Sequence, residues 1–214
     1  MKKLSITCVI AILFCTVFLI SQQTSNVLAA NICETEDAIR VFIGTTEGLN
    51  IEQAQEYIEM QENSLNYLNN NQPNDIGFAL VTFDEYLSEQ EVNSILQGVS
   101  QIKTVYIWTP NEEGRAIIDV QNNNINKTLN DFFDSLDIES ASNQDYKDDM
   151  QRLISNYGIF AVEVQAEYSI LQSMNLQNNI CVDLIQSQEA MALSAQTNKP
   201  ISYICIPQKP DGTA

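Results

Sequence analysis

Apolar and polar positions along this chain fall into blocks of differing period, and the blocks predict its elements. The first has no period at all: after Lys2 and Lys3, residues 4–20 run without a charge. A polar stretch follows and then Val27-Leu28-Ala29-Ala30. A short positive start, an apolar run and small residues at its end form an export signal, with cleavage expected after Ala29 or Ala30. The run lies between a signal core of about 7–15 residues and a membrane span of about 17–25, so an uncleaved N-terminal anchor stays open beside cleaved secretion. Residues 1–30 are therefore read as signal peptide or anchor, and 31–214 as a single acidic extracytoplasmic α/β domain. No later apolar run is comparable, which limits membrane contact to residues 4–20 if they are kept.

From residue 50 the period is helical. Ile51, Ala54, Ile58, Leu65 and Leu68 recur at three and four, with Glu and Gln between them, which predicts an amphipathic helix ending at the asparagine cluster before Pro73. Residues 76–83 (IGFALVTF) read as a buried strand. Ser88 with Glu91 three residues on is a capping box, opening a helix whose apolar face is Val92, Ile95, Leu96 and Val99. Residues 103–109 (KTVYIWT) and 115–120 (RAIIDV) flank a Pro-to-Gly turn and predict a hairpin. Two amphipathic helices follow, on Ile125, Leu129, Phe132, Phe133 and Leu136 and then on Tyr146, Met150, Leu153, Ile154 and Tyr157, with Gly158 closing the second. Strands are expected at 159–164, 180–185 and 201–206, with helices between them.

The order over residues 76–166 is β-α-β-β-α-β, the ferredoxin-like arrangement, in a mixed sheet. The fold class expected is therefore α+β: this core, an added αβαβ C-terminal extension and the N-terminal amphipathic helix. A competing parse pairs two strand-helix-strand segments that begin at Gly77 and Gly158, with Val81 and Phe83 matching Val162 and Val164.

Charge narrows the partners. The formal net charge is −18, and loss of Lys2 and Lys3 makes the remainder two units more negative. Such a surface repels nucleic acid phosphates and anionic lipid head groups, so no nucleic acid partner is expected. Solubility is the plain reading of the charge, and a specific basic partner the sharper one.

Absent residues narrow the chemistry. With no histidine in the chain, Ser-His-Asp and Cys-His nucleophiles and HExxH zinc sites are excluded. Gly44-Thr45-Thr46-Glu47-Gly48 lacks the lysine of a phosphate loop and reads as a turn. Asp145, Asp148 and Asp149 stand at a helix start, where the macrodipole favours negative charge, and lack the alternation and glycine of a calcium loop. No metal, cofactor or catalytic residue is assigned. Carboxylates such as Asp84, Glu85 and Glu163 leave room for a paired-acid hydrolase, although no spacing singles out a pair.

Three cysteines lie beyond residue 30. Cys181 and Cys205, on late strands, are the candidates for a disulfide in an oxidising compartment, and Cys33 is left over. The hairpin is the best candidate contact surface. Tyr106 and Trp108 alternate with Val105 and Ile107, so one pair faces the core and the other faces out or under a helix. Trp108 and Arg115 flank the turn, both being residue types enriched at binding hot spots, although core packing is the usual fate of a lone tryptophan. The function expected is non-catalytic binding of another envelope or secreted protein, in an interaction or in a sensory or regulatory role. The alternatives are a secreted carboxylate hydrolase and a protease-inhibitor or propeptide-like module.

Overall fold

A computed structural model of the chain describes residues 32–45, 49–108, 115–136, 138, 143–177, 179–185 and 188–207. The expected signal or anchor segment lies outside the described residues. Among those residues no helix is long and apolar enough to cross a membrane. The protein is mixed α+β; its described residues form six helices and two sheets and divide into two compact units.

One unit takes its described residues from 32–42, 49–58 and 188–204. Residues 31–49, the least patterned part of the sequence, supply two of its strands, β1 (Ile32–Glu34) and β2 (Ile39–Ile43). They pair antiparallel with Ile32 opposite Val41, and Ile39 and Val41 are buried while Arg40 is exposed, the period of two of a half-buried strand. β8 (Ile201–Cys205) flanks β2 on its other side. Its bonds run in step, Ile39 N–H to Pro200 O and Ile206 N–H to Ile43 O, so β2 and β8 are parallel. Lys199 ties the corner by reaching Glu34 at 2.7 Å and the Thr35 carbonyl at 2.6 Å.

The other unit is built on a five-stranded sheet ordered β5-β4-β6-β3-β7. In chain order it holds β3 (Ile76–Leu87), α2 (Glu89–Ile95), β4 (Gln101–Trp108) and β5 (Arg115–Asp119). There follow α3 (Ile125–Ser135), α4 (Gln144–Asn156), β6 (Gly158–Glu167), α5 (Tyr168–Asn175) and β7 (Ile180–Leu184). The remaining helices are α1 (Ile51–Asn71) and α6 (Gln188–Thr197). All four pairings in this sheet are antiparallel, where a mixed sheet was expected. The cause is that each strand-helix-strand crossover skips one strand: β6 lies between β3 and β4, and β3 lies between β6 and β7. The C-terminal extension is divided, β7 joining this sheet and β8 the smaller one.

One face of the sheet is the core. Ala79, Val81, Phe83, Val162, Val164 and Val182 alternate inward along their strands. Val92, Leu96, Ile125, Leu129, Leu171 and Met174 cover them from α2, α3 and α5, with Leu65 from α1. Each such side chain removed from water contributes about 1.5–3 kcal/mol. Gly77 is required by this packing, because a Cβ there would lie 2.4 Å from the Tyr168 ring.

Local signals set the element ends. The Ser88–Glu91 capping box forms in both directions. Its helix stops at Ile95, earlier than the apolar face suggested, and Gly98 turns the chain at φ +87°. α1 runs through the asparagine cluster to Asn71, whose side chain bonds the Tyr67 carbonyl. Asn122 and Asn123 adopt φ 54° and 56° in a turn closed by Asn124 N–H to Gln121 O, a conformation asparagine tolerates better than most residues. Gly158 does not close a helix. It begins β6 beneath Tyr86, where a Cβ would lie 2.5 Å from the Tyr86 Cβ.

Candidate functional site

The hairpin singled out in the sequence exists as β4 and β5, but its surface differs from expectation. Tyr106 is 3% exposed and Trp108 is 7%. Val105 and Ile107, on the opposite face, are fully buried. β4 is an inner strand packed on both faces, so its aromatic side chains are core and not a contact surface. Arg115 begins β5, and its side chain lies outside the described residues, as does the turn at 109–114.

What the hairpin does offer is backbone. Val120 N–H bonds the Lys103 carbonyl, which makes 103–120, 105–118 and 107–116 the hydrogen-bonded pairs of this ladder. By the same alternation the N–H and C=O groups of Arg115, Ile117 and Asp119 point away from β4. β5 is the outermost strand on that side, and Ile117 is 54% exposed. The opposite edge is treated differently. On β7 the outward N–H of Val182 is taken by Asn175 Oδ1 at 3.1 Å, and that of Leu184 by Gln61 Oε1 at 3.0 Å. Amide side chains thus close one edge of the sheet, while among the described residues no strand or side chain pairs with the other.

The second face of the sheet gathers most of the remaining candidates. Leu80 is opposite Glu163 on one side and Asp183 on the other, so these two carboxylates stand two strand spacings apart, about 10 Å between backbones. Tyr106 OH donates to Glu163 Oε1 at 2.5 Å, and the Tyr106 ring meets Phe160 edge-on. Cys181 and Cys205 are free thiols, not a disulfide. The Cys181 thiol turns to Asp183 Oδ2 at 3.8 Å, and burial, then the Asp183 charge, pushes its pKa up to about 12. Burial and then the Glu163 carboxylate raise the Cys205 thiol as well. Thiols held protonated in this way are poor nucleophiles. Asp183 is 4% exposed and Glu163 already accepts from Tyr106, which ties both acids into the sheet instead of presenting them to a substrate.

The acidic group at Asp145, Asp148 and Asp149 behaves as a helix start. Asn143 caps the Asp145 and Tyr146 amides, and Asp149 pairs with Arg152. Among the described residues no group of three His, Cys, Asp or Glu side chains is placed to hold a metal ion. Sequence reasoning missed Gln61 and Asn175, whose roles depend on contacts across 123 and 7 residues. RAIIDV marked a hairpin strand, but nothing in it says which strand lies outermost, and Ile117 interrupts the alternation of Ala116, Ile118 and Val120 with Arg115 and Asp119. The chain matches no protein-family model, and no curated protein or solved structure matches it significantly.

Proposed function

We propose that this is an exported, non-catalytic binding module, carried across the membrane by residues 1–30, which recognises another envelope or secreted protein by adding a strand of that partner to β5. The observation that carries the reading is the difference between the two edges of one sheet. An open edge invites association, and proteins commonly blunt it. Here β7 is blunted by Gln61 and Asn175, while β5 keeps outward backbone groups beside an exposed isoleucine. Strand addition draws its affinity from main-chain hydrogen bonds and its selectivity from alternate side chains, which suits an edge where Ile117 and Asp119 are exposed.

The fold reading that accompanies this is a ferredoxin-like core in the second of the two parses. β3-α2-β4 and β6-α5-β7 form the two halves, beginning near Gly77 and Gly158, and the strand order β4-β6-β3-β7 supports it. β5, α3 and α4 are then an insertion between the halves, and the strand proposed to bind is its first element. The carboxylate-hydrolase alternative loses ground because Glu163 is engaged by Tyr106.

The test is Ile117→Pro in the full chain. Proline at this position removes an outward N–H and leaves the β4 ladder intact, the placement in which edge strands accept it. Cross-linked recovery of a stoichiometric envelope partner by the wild type, its loss with the variant, and an unchanged melting temperature are expected. Equal recovery by wild type and variant overturns the edge reading.

A further inference from the structure

β3 departs from its neighbour in the middle of the sheet. Thr82 is opposite Ala161 and Leu87 opposite Ile159, so residues 83–86 are matched by Phe160 alone. Bulges of this kind re-aim side chains and are frequent beside functional sites. This one throws Asp84 and Glu85 out to solvent while Phe83 stays in the core and in register with Ile180 of β7. Tyr86 anchors the far side of the bulge, packed over Gly158 and edge-on to Phe160 at 6.3 Å.

A cavity of about 420 Å³ opens at the bulge. Phe83, Leu87, Ile95 and Ile180 give it an apolar wall. Among the described lining residues Asp84 and Glu85 are the charged ones, and they take part in none of the ion pairs among the described residues. Gln177 and Asn179 complete the rim. The Asp84 N–H is bonded to the Asn179 carbonyl, which fixes the two sides of the mouth to each other.

We propose that this cavity is a binding site for a primary ammonium group carried on an aliphatic stem. An ammonium has three donors and no acceptor. Two carboxylates and a rim amide oxygen match that number, and the apolar wall takes the methylene chain. The volume is at the lower end of the range for small-molecule sites, about 300–1,000 Å³, enough for a short alkylamine. The net charge of −18 draws cations toward the mouth. β4 and β6 separate β3 from β5, so this inference does not rest on the strand-addition reading and fails or stands separately from it.

The experiment is a titration of the full chain with pentylamine, with 1-pentanol as its uncharged counterpart, following the Ile95 and Ile180 methyl signals by NMR and affinity by calorimetry. The amine is expected to shift both methyls and the alcohol neither. The double variant Asp84→Asn with Glu85→Gln, both exposed positions that leave the packing alone, is expected to weaken amine binding about tenfold or more. A parallel titration with Nα-acetyl-lysine methylamide separates sources. Binding tighter than pentylamine identifies a lysine side chain of a polypeptide, weaker binding a free amine, and both support the site. An equal response to pentanol, shifts located elsewhere on the acidic surface, or binding indifferent to the double variant overturns it.

Discussion

Replacing Gln61 by methionine tests whether the β7 edge is held shut by a side chain. Gln61 is 7% exposed and its Oε1 accepts the Leu184 N–H at 3.0 Å, on a strand whose last residue is itself 3% exposed. Methionine keeps the volume and the unbranched stem, so packing changes little. The acceptor is lost, and the Leu184 amide is left in a site that water does not reach. Orphaning a buried donor costs about 1–3 kcal/mol, against about 0.5–1.5 kcal/mol for the net value of an ordinary hydrogen bond. Gln61 holds a further interaction, so the upper part of that range is expected. In a protein of this size each kcal/mol lowers the melting temperature by about 2–4 °C, so a loss of about 2–3 kcal/mol gives a drop of roughly 4–12 °C. Thermal melting reads the magnitude, and amide exchange at Leu184 reads the site. The uncapped edge is also expected to make association concentration-dependent in size-exclusion chromatography. A melting temperature within a degree of wild type together with unchanged Leu184 exchange refutes the reasoning.

Ile118→Pro removes an inward ladder bond to Val105 and a side chain that is 8% exposed, so it is expected to destabilise by about 3 kcal/mol or more while Ile117→Pro does not; equal denaturant midpoints for the two contradict the register. Gly77→Ala drives a methyl into the Tyr168 ring and is expected to cost about 1–3 kcal/mol, with a smaller cost when Tyr168→Leu is also present, read by urea denaturation. Tyr106→Phe deprives Glu163 of a donor at 2.5 Å and is expected to cost about 1.5–3 kcal/mol in the same assay, and a change below about 0.5 kcal/mol counts against that bond. Cys181 supplies a pH dependence: its thiol pKa rises from 9.0 to about 12 on folding, so the folded chain keeps a proton the unfolded chain gives up. That contribution is whole below pH 9 and is lost as the pH rises toward 12, and Cys181→Ala is expected to lose less stability than wild type across this interval.

The sequence carried the elements well because they depend on local pattern. The Ser88–Glu91 box, the run of β-type residues at 76–83 and the intervals from Ile125 to Phe133 each involve near neighbours in the chain, and each element is present. Pairing was another matter. RAIIDV had to follow KTVYIWT across a short turn, so their hairpin was legible, but nothing in either strand says that β6 is inserted between β3 and β4. The two weak signals that bore on it were Gly77 and Gly158. Both lie at strand starts, Gly77 second in β3 and Gly158 first in β6, and both lie where a Cβ would strike a tyrosine, Tyr168 and Tyr86 respectively. Trp108 is buried, the usual fate of a lone tryptophan, but the hairpin as a contact surface misled for the same reason. Alternation predicts one wet face, whereas the inner position of β4 buries both faces. The bulge was invisible, because residues 83–86 read as a plain strand end until the register with β6 is known.

Carboxylates show most clearly why position outranks composition here. Asp84, Glu85 and Glu163 were equal as candidates in the sequence, three acids near strand ends. The fold separates them by their neighbours. Glu163 stands on an inner strand with Tyr106 bonded to it, and a carboxylate fixed in that way is neither a free base nor an attractor of ligands. Asp84 and Glu85 are on the outward part of a bulge, beside an apolar cavity and without a cation among the described ion pairs. An acid is available for recognition where the chain leaves its charge uncompensated next to surface that gains by being covered. By that criterion the bulge at Asp84 qualifies and the sheet face at Glu163 does not, although Glu163 is much the more buried of the two and on burial alone would have been chosen.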